Sequence, residues 1–167
     1  MATELEDLKI LQIAEGIADA VWKRVVEWED FAKDVVGKQM AKAMDSIGAN
    51  IAESYGRFNY GEKLQFLYYS RGSLFEAKYW LNRALVRGLM SAEDVKTYAT
   101  RLSDVARQLN TFANSLKSQR KDSKAQTKSV REPNAEYIIG DWFVGSEPLF
   151  TNHELDWFTT FPEVSSP

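Results

Sequence analysis

Apolar residues recur every three or four positions along most of the first 120 residues, which is the spacing of one face of an α-helix. Ahead of the first such stretch, Thr3 and Glu6 have the spacing of a capping box, in which side chains bind the free amides of a helix start. The pattern therefore predicts a first helix over about residues 4–28, with the apolar face Ile10, Ile13, Ala14, Ile17, Val21 and Val25.

A second and a third helix are predicted in the same way. The second follows a joint expected around Asp30–Gly37 and ends at Gly56, because glycine commonly follows the last turn of a helix. Its apolar face is Met40, Ala43, Met44, Ile47, Ile51 and Tyr55. The third begins after Asn59 and runs to Arg87, with the inward positions Leu64, Leu67, Leu74, Leu81 and Leu85.

The fourth predicted helix begins after Ser91 and has a strict heptad pattern. Its apolar positions alternate at spacings of three and four: Val95, Tyr98, Leu102, Val105, Leu109, Phe112 and Leu116. Short joints place consecutive helices antiparallel to each other. The fold class expected is therefore all-α, an antiparallel up-and-down four-helix bundle over residues 1–118 with a C-terminal aromatic-acidic tail.

The composition changes beyond the bundle. Residues 119–134 are rich in Ser, Lys, Gln and Arg and are expected to form a basic, polar linker. Residues 135–167 form the tail, and residues 132–167 contain seven acids, no Lys or Arg, and seven of the 21 aromatic residues of the chain. The bundle itself is close to neutral, with 15 basic and 16 acidic residues over 1–116.

The tail contains a duplicated motif, E-P-x7-D-W-F, whose copies lie 15 residues apart. The repeated aromatic-acidic residues are Asp141, Trp142 and Phe143 in the first copy and Asp156, Trp157 and Phe158 in the second. Two copies of so short a repeat cannot build a core of their own. They are interpreted as docking motifs, which bind either the bundle of this chain or oligomer, or a separate protein.

One segment carries a family resemblance. Ser46-Ile47-Gly48-Ala49-Asn50-Ile51-Ala52-Glu53-Ser54-Tyr55-Gly56-Arg57 resembles the signature of the four-helix-bundle proteins encoded in 23S rRNA intervening sequences, and Gln39 and the block over residues 66–76 agree with it. Ser54 departs from the glycine usual in that family. The resemblance covers about residues 5–118 and implies a four-helix bundle and a homopentamer.

Relatives of that family include the accessory protein of diversity-generating retroelements. That protein is a pentameric, basic partner of a reverse transcriptase and binds nucleic acid. The near-neutral bundle of the present chain distinguishes it from that branch.

Polar residues of the signature share helix faces. Asn50, Glu53 and Arg57 lie on one face of the second predicted helix, while Ser73 and Glu76 share a face of the third, which also carries Arg71. One interpretation is a pocket that binds a ligand or an RNA phosphate through the two arginines. The other is a hydrogen-bond network that fixes helix register or a subunit contact.

Two further features indicate partners. The third helix has more aromatic residues than one core face requires, which favours an oligomer contact over a platform for stacked bases: Phe66, Tyr68, Tyr69, Phe75, Tyr79 and Trp80. A run of basic residues binds nucleic acid weakly by counterion release, or is simply a solvated linker: Lys117, Arg120, Lys121, Lys124, Lys128 and Arg131.

No catalytic apparatus is visible in the sequence. The chain has no cysteine and a single histidine, His153, and it lacks a glycine-rich phosphate loop and a nucleophile elbow. We therefore expect no catalytic residues, no cofactor and no metal. No apolar run is long enough to cross a membrane, and the acidic start and lack of cysteine suit the cytoplasm.

These patterns together predict a non-enzymatic, oligomeric scaffold or adaptor whose tail carries two docking motifs. The alternative is an RNA-associated protein that acts with rRNA fragments or with a reverse transcriptase complex.

Overall fold

The computed structural model describes residues 5–126 and 148–160, and the side chains of 121–126 are outside the description. The regular structure of these residues is helical throughout. A short 3-10 turn, Leu5–Asp7, precedes α1. The α-helices are α1 Lys9–Val25, α2 Asp30–Ala32, α3 Lys38–Gly56, α4 Tyr60–Val86, α5 Ala92–Gln126 and α6 Asn152–Thr160.

The four long helices pack in a closed order. α1 and α4 each pack on both α3 and α5, so α1 and α4 lie at opposite corners of the helical body. Neighbours run antiparallel. Arg24 near the end of α1 binds Asp94 at the start of α5 at 2.9 Å, and Arg71 in the middle of α4 donates to Asn110 of α5 at 3.3 Å.

The core follows the predicted apolar faces closely. Every predicted inward residue of α4 is buried, as are all those of α5 except Phe112, which is partly buried against the core. Ile13 of α1 is also only partly buried, and Tyr55 of α3 is exposed. In α5 the buried face is wider than a heptad seam, because three alanines also lie inside: Ala99, Ala106 and Ala113.

The joint expected around Asp30–Gly37 is wrong. α2 covers the first part of it, and a π-helical segment, Lys33–Gly37, runs directly into α3, so that the chain bends before Asp30 instead. A π-helical turn holds more residues than an α-helical one. It therefore shifts the phase of the apolar pattern, which made this helical stretch look like a break.

α5 is longer than the predicted bundle. The apolar face ends at Leu116, yet the helix continues to Gln126 through residues expected to belong to the linker. The extension is rich in Lys, Arg and Gln, which have good intrinsic helix propensity even without a core to face. Residues 127–134 of the predicted linker lie outside the described residues, as does Thr3 of the predicted capping box.

Candidate interaction surfaces

The signature residues of α3 make their contacts within α3 and at the α3–α4 turn. The Asn50 side-chain amide donates to the carbonyl oxygen of Ser46 at 2.7 Å. Glu53 and Arg57, one turn apart, form an ion pair, and the Arg57 guanidinium lies 4.6 Å from the centroid of the Phe66 ring on α4. Arg57 therefore has a carboxylate and an aromatic face beside it at the α3–α4 turn.

The signature residues of α4 point to different neighbours. Arg71 binds Asn110 of α5, and its guanidinium lies 5.1 Å from the Phe75 ring centroid. The Ser73 hydroxyl donates to the carbonyl oxygen of Tyr69 at 3.1 Å, within the same helix, and Glu76 is exposed. Arg71 therefore contacts α5, whereas Arg57 lies at the α3–α4 turn.

Two serines outside the predicted polar set join α3 to α4. The Ser54 hydroxyl donates to the carbonyl oxygen of Lys63, and the Ser70 hydroxyl donates to that of Ile47, each at 2.9 Å. Both serines are fully buried. The signal was in the pattern: Ser70 fills the gap between Leu67 and Leu74 on the inward face of α4, so a polar residue there must find a partner inside.

The outward face of α4 carries an apolar seam. Its members are spaced four, three, four and seven residues apart, and we call this set the α4 seam: Tyr68, Gly72, Phe75, Tyr79 and Val86. The side chains of Phe75, Tyr79 and Val86 are 47%, 54% and 47% exposed. A Cβ atom added at Gly72 would meet nothing within 4 Å, so the backbone is open to close approach there.

The opposite corner of the body carries a smaller apolar patch. Trp22 on α1 is 56% exposed, and Val26, one turn later, is 46% exposed. We call these two residues the α1 patch. Because α1 and α4 lie at opposite corners, the α1 patch and the α4 seam face different directions.

The predicted basic residues begin within α5. The Lys117 ammonium lies 6.0 Å from the Tyr68 ring centroid, and the Arg120 guanidinium lies beside Gly61 at the start of α4. Lys121 and Lys124 belong to the last turns of α5, with side chains outside the description. Lys128 and Arg131 lie outside the described residues, so the six are not seen together.

The second tail motif packs on the helical body. Leu149, Phe150 and Phe158 are buried, and the rings of Phe150 and Phe158 meet edge to face with centroids 6.0 Å apart. Lys78 of α4 donates to the carbonyl oxygen of Leu149 at 2.8 Å and lies 4.9 Å from the Phe150 ring centroid. Lys96 of α5 donates to the Thr159 hydroxyl at 2.8 Å.

Glu154 links the local fold of the tail to its docking. It forms a capping box with Thr151: its carboxylate accepts from the Thr151 amide at 2.8 Å, and its own amide donates to the Thr151 hydroxyl at 3.1 Å. The same carboxylate pairs with Lys78 at 2.7 Å. Burial opposes its ionisation, but the bonds from Lys78 and Thr151 outweigh burial and hold the pKa of Glu154 below its ordinary value.

The repeated residues of the second motif copy differ in burial. Phe158 is buried, whereas Asp156 is exposed and Trp157 is 42% exposed, with its ring centroid 5.5 Å from that of Phe158. Asp141, Trp142 and Phe143 of the first copy lie outside the described residues. His153, beside Glu154, is exposed.

Other kinds of site find little support in the parts of the chain described. Within residues 5–126 and 148–160, no three His, Asp or Glu side chains come together as a metal site requires. None of the described helices is long and apolar enough to span a membrane. A shallow groove of about 200 Å³ runs between α1 and α3, where small residues such as Ala14 and Gly48 let the two helices approach closely.

The comparison with known proteins supplies the family. A search of curated proteins gives no match for this chain. The sequence profile of the 23S rRNA-intervening sequence proteins matches residues 6–111, which is 106 of the 167 residues and reaches from before α1 into α5. The match confirms the resemblance carried by the signature over residues 46–57 and ends before the tail. The chain therefore belongs to the family of 23S rRNA-intervening sequence proteins.

Proposed function

We propose that this protein is a non-enzymatic, self-assembling scaffold or adaptor. Its four long helices act as an antiparallel up-and-down four-helix bundle, copies of which assemble into a ring, while the tail supplies docking motifs. The observation that carries the proposal is the α4 seam, in which Phe75, Tyr79 and Val86 are exposed apolar side chains spaced four and seven residues apart on a helix already buried on its other face. Such a row is typical of a helix that packs against a further helix.

A ring requires two different faces on each subunit, because head-to-tail contacts repeat around the axis. The α4 seam supplies one face and the α1 patch supplies a second at the opposite corner. Burying an aromatic side chain contributes several times the energy of an average surface contact, so Trp22, Phe75 and Tyr79 are suited to be anchors. Five subunits are proposed from the family resemblance.

Light scattering coupled to size-exclusion chromatography tests the assembly. We expect a mass about five times that of the 19.1 kDa chain at micromolar concentration. Tyr79→Glu should reduce the mass, because a carboxylate would have to be desolvated inside the contact. Asn114→Glu adds the same charge at an exposed position of α5 and serves as the matched control. A monomeric parent protein would overturn the proposal.

Mixing two variants then tests whether the contact is head-to-tail. Tyr79→Glu damages the α4 seam and Trp22→Glu damages the α1 patch, so each variant alone should be monomeric. A mixture retains one intact pair of faces and should form a dimer and nothing larger. A Trp22→Glu protein that keeps the full mass would show instead that α4 seams pair with each other.

The tail is proposed to bind the partner of the assembly. Each chain carries two aromatic-acidic motifs, and a ring would present several of them on one particle. Weak binding by each motif then becomes strong overall binding to a partner whose own surface is repetitive. The partner expected is therefore a multivalent protein assembly with apolar pockets bordered by basic residues.

A second candidate function is association with RNA. It is favoured by basic residues at one end of the body, where Arg57, Lys117 and Arg120 lie near the α3–α4 turn and the start of α4. The family is also named for intervening sequences of 23S rRNA. The binding expected from such a patch is weak, tolerant of sequence and sensitive to salt.

A further inference from the structure

The surface that holds the tail has the chemistry of a peptide-binding site. Lys78 makes three contacts with the segment: a hydrogen bond to the Leu149 carbonyl, an ion pair with Glu154 and a cation–π contact with Phe150. Around it, the side chains of Leu149, Phe150 and Phe158 are all at most 3% exposed. One fixed charge surrounded by apolar burial is the arrangement that orients and anchors a short peptide.

The two motif copies differ at the positions that this surface contacts. Where the second copy has Leu149, Phe150, Thr151 and Glu154, the first has Asn134, Ala135, Glu136 and Ile139 at the same offsets. The first copy therefore lacks both apolar anchors, the capping box and the partner of Lys78. Besides Glu-Pro, the two copies share D-W-F, and of these three residues only the phenylalanine is buried in the second copy.

We propose that the α4–α5 surface around Lys78 is a peptide-binding groove selective for the second tail motif. Its occupant is the segment 148–160 of the tail. The groove recognises Leu149, Phe150, Glu154 and Phe158, of which only Phe158 is shared by the two copies. Of the other shared residues, Asp156 is exposed and Trp157 is 42% exposed, with its ring beside that of Phe158. This deepens the proposed adaptor function, on which it rests, since it assigns anchoring of the tail to residues that the first copy lacks.

The length of the connecting chain fits this occupant. Arg71 of α4 lies opposite Asn110 of α5, and the two helices are antiparallel. Lys78 is therefore at the same height along the body as about residue 103 of α5. From there to Gln126 is about 35 Å at 1.5 Å per residue. The 21 residues between Gln126 and Pro148 span up to about 70 Å when extended. The segment can therefore reach the groove of its own chain, and also that of an adjacent copy.

Amide hydrogen exchange in the full-length protein tests which residues anchor the segment. Phe150→Ala removes a ring that is 2% exposed and should raise exchange across residues 149–160 about tenfold, whereas Trp157→Ala, at a residue that is 42% exposed, should raise it about threefold. Lys78→Glu should also release the segment, and adding Glu154→Lys should restore part of the protection. Equal release by Trp157→Ala and Phe150→Ala would overturn the proposal, because the shared residues would then be the anchors.

Peptide binding tests selectivity with a control that the chain itself provides. A labelled peptide of residues 147–161 should bind full-length Phe150→Ala protein more tightly than the parent, because the weakened segment of the variant competes less well for the groove. A peptide of residues 132–146, which carries the first copy, should bind at least about tenfold more weakly. Equal binding of the two peptides would contradict a selective groove.

The mass of the same variant separates this proposal from the proposed assembly. Selective peptide binding by a monomeric protein would support the groove and overturn the scaffold. A full-size assembly with no selectivity between the peptides would do the reverse.

Discussion

Ser70 and Ser73 of α4 carry the same hydroxyl group but use it differently. Ser70 donates across to α3, where the Ile47 carbonyl accepts, while Ser73 donates back to Tyr69 within its own helix. Only the first bond holds two helices in register. Because Ser70 is fully buried, its oxygen would be costly to leave without a partner, so the residue and its position fix how far α4 slides along α3.

We expect Ser70→Ala to destabilise the protein by about 0.5–1.5 kcal/mol, the usual net value of a buried hydrogen bond. Ser73→Ala is the matched control, because the same atoms are removed from the same helix without breaking a contact between helices, and it should have an effect near zero. Chemical denaturation measures both. A Ser73→Ala loss as large as that of Ser70→Ala would show that the cross-helix bond has no special weight.

Leu109 tests the core of α5. It lies on the predicted seam and is 2% exposed. Leu109→Ala should therefore cost about 2–4 kcal/mol, the lost burial plus the cavity that remains. Asn114→Ala, on the exposed face of the same helix, is the control. A Leu109→Ala protein that unfolds at the same denaturant concentration as the parent would mean that this face is not the core.

At the residue scale, the apolar positions could be predicted and the polar contacts could not. A helical period states which side faces inward, so the leucines of α4 and α5 were found directly. The partners of Ser54, Ser70 and Arg71 lie on other helices, and their identity depends on axial register. A single sequence contains no direct signal for that register. It predicts which signature residues share a helix face but not which residues they bind.

Among the helices, the predicted bounds are wrong where the apolar period changes or ends. The π-helical segment Lys33–Gly37 shifts the phase of the pattern, and beyond Leu116 α5 continues with no apolar face at all. Both stretches are helical for reasons that a search for amphipathic faces does not detect. The tail raises a different difficulty, because α6 needs the body: its burial comes from contacts with α4 and α5 rather than from its own sequence.

Docking of α6 should weaken in acid. The pKa of Glu154 lies below its ordinary value of 4.5, so its ionised form stabilises the docked state. For a depressed carboxyl pKa, this contribution is complete above the unfolded value and disappears as the pH falls through the folded value. We expect exchange of residues 149–160, compared with that of α4 at the same pH, to rise as the pH falls below about 4.5.

Glu154→Gln provides the control for this titration. The amide can still accept hydrogen bonds but cannot titrate, so docking should be weaker and its dependence on acid should disappear. Lys78 and Lys96 are the cations facing the segment, and the substitution leaves both unchanged. Asp156 is exposed and is left unchanged by the substitution. A Glu154→Gln protein with the same acid release as the parent would assign the effect to another carboxyl group.

At the scale of the whole molecule, the charge of the chain is divided along its length. Six basic residues lie over 117–131, and seven acids with no Lys or Arg follow over 132–167. A tail docked beside Lys78 and Lys96 brings part of this acidic segment onto the body. The docked segment occupies Lys78 and Lys96, while the other acids of the tail would compete with a nucleic acid for the basic residues over 117–131. This would make RNA binding dependent on the tail.

This competition leads to a test of the RNA alternative. Binding of a single-stranded RNA should fall as salt rises, with a logarithmic slope of at most about 4 for six positive charges, and Lys117→Gln with Arg120→Gln should lower that slope by about 1.4. Removing residues 132–167 should strengthen binding, because seven competing acids are lost.

Phe150→Ala separates charge from docking, since it releases the tail but keeps its acids. If the deletion strengthens binding and Phe150→Ala does not, charge is the cause; if both strengthen it equally, the docked tail blocks the RNA sterically. An affinity that neither change alters would show that the tail does not screen the patch, and a slope near zero would remove counterion release as the basis of binding.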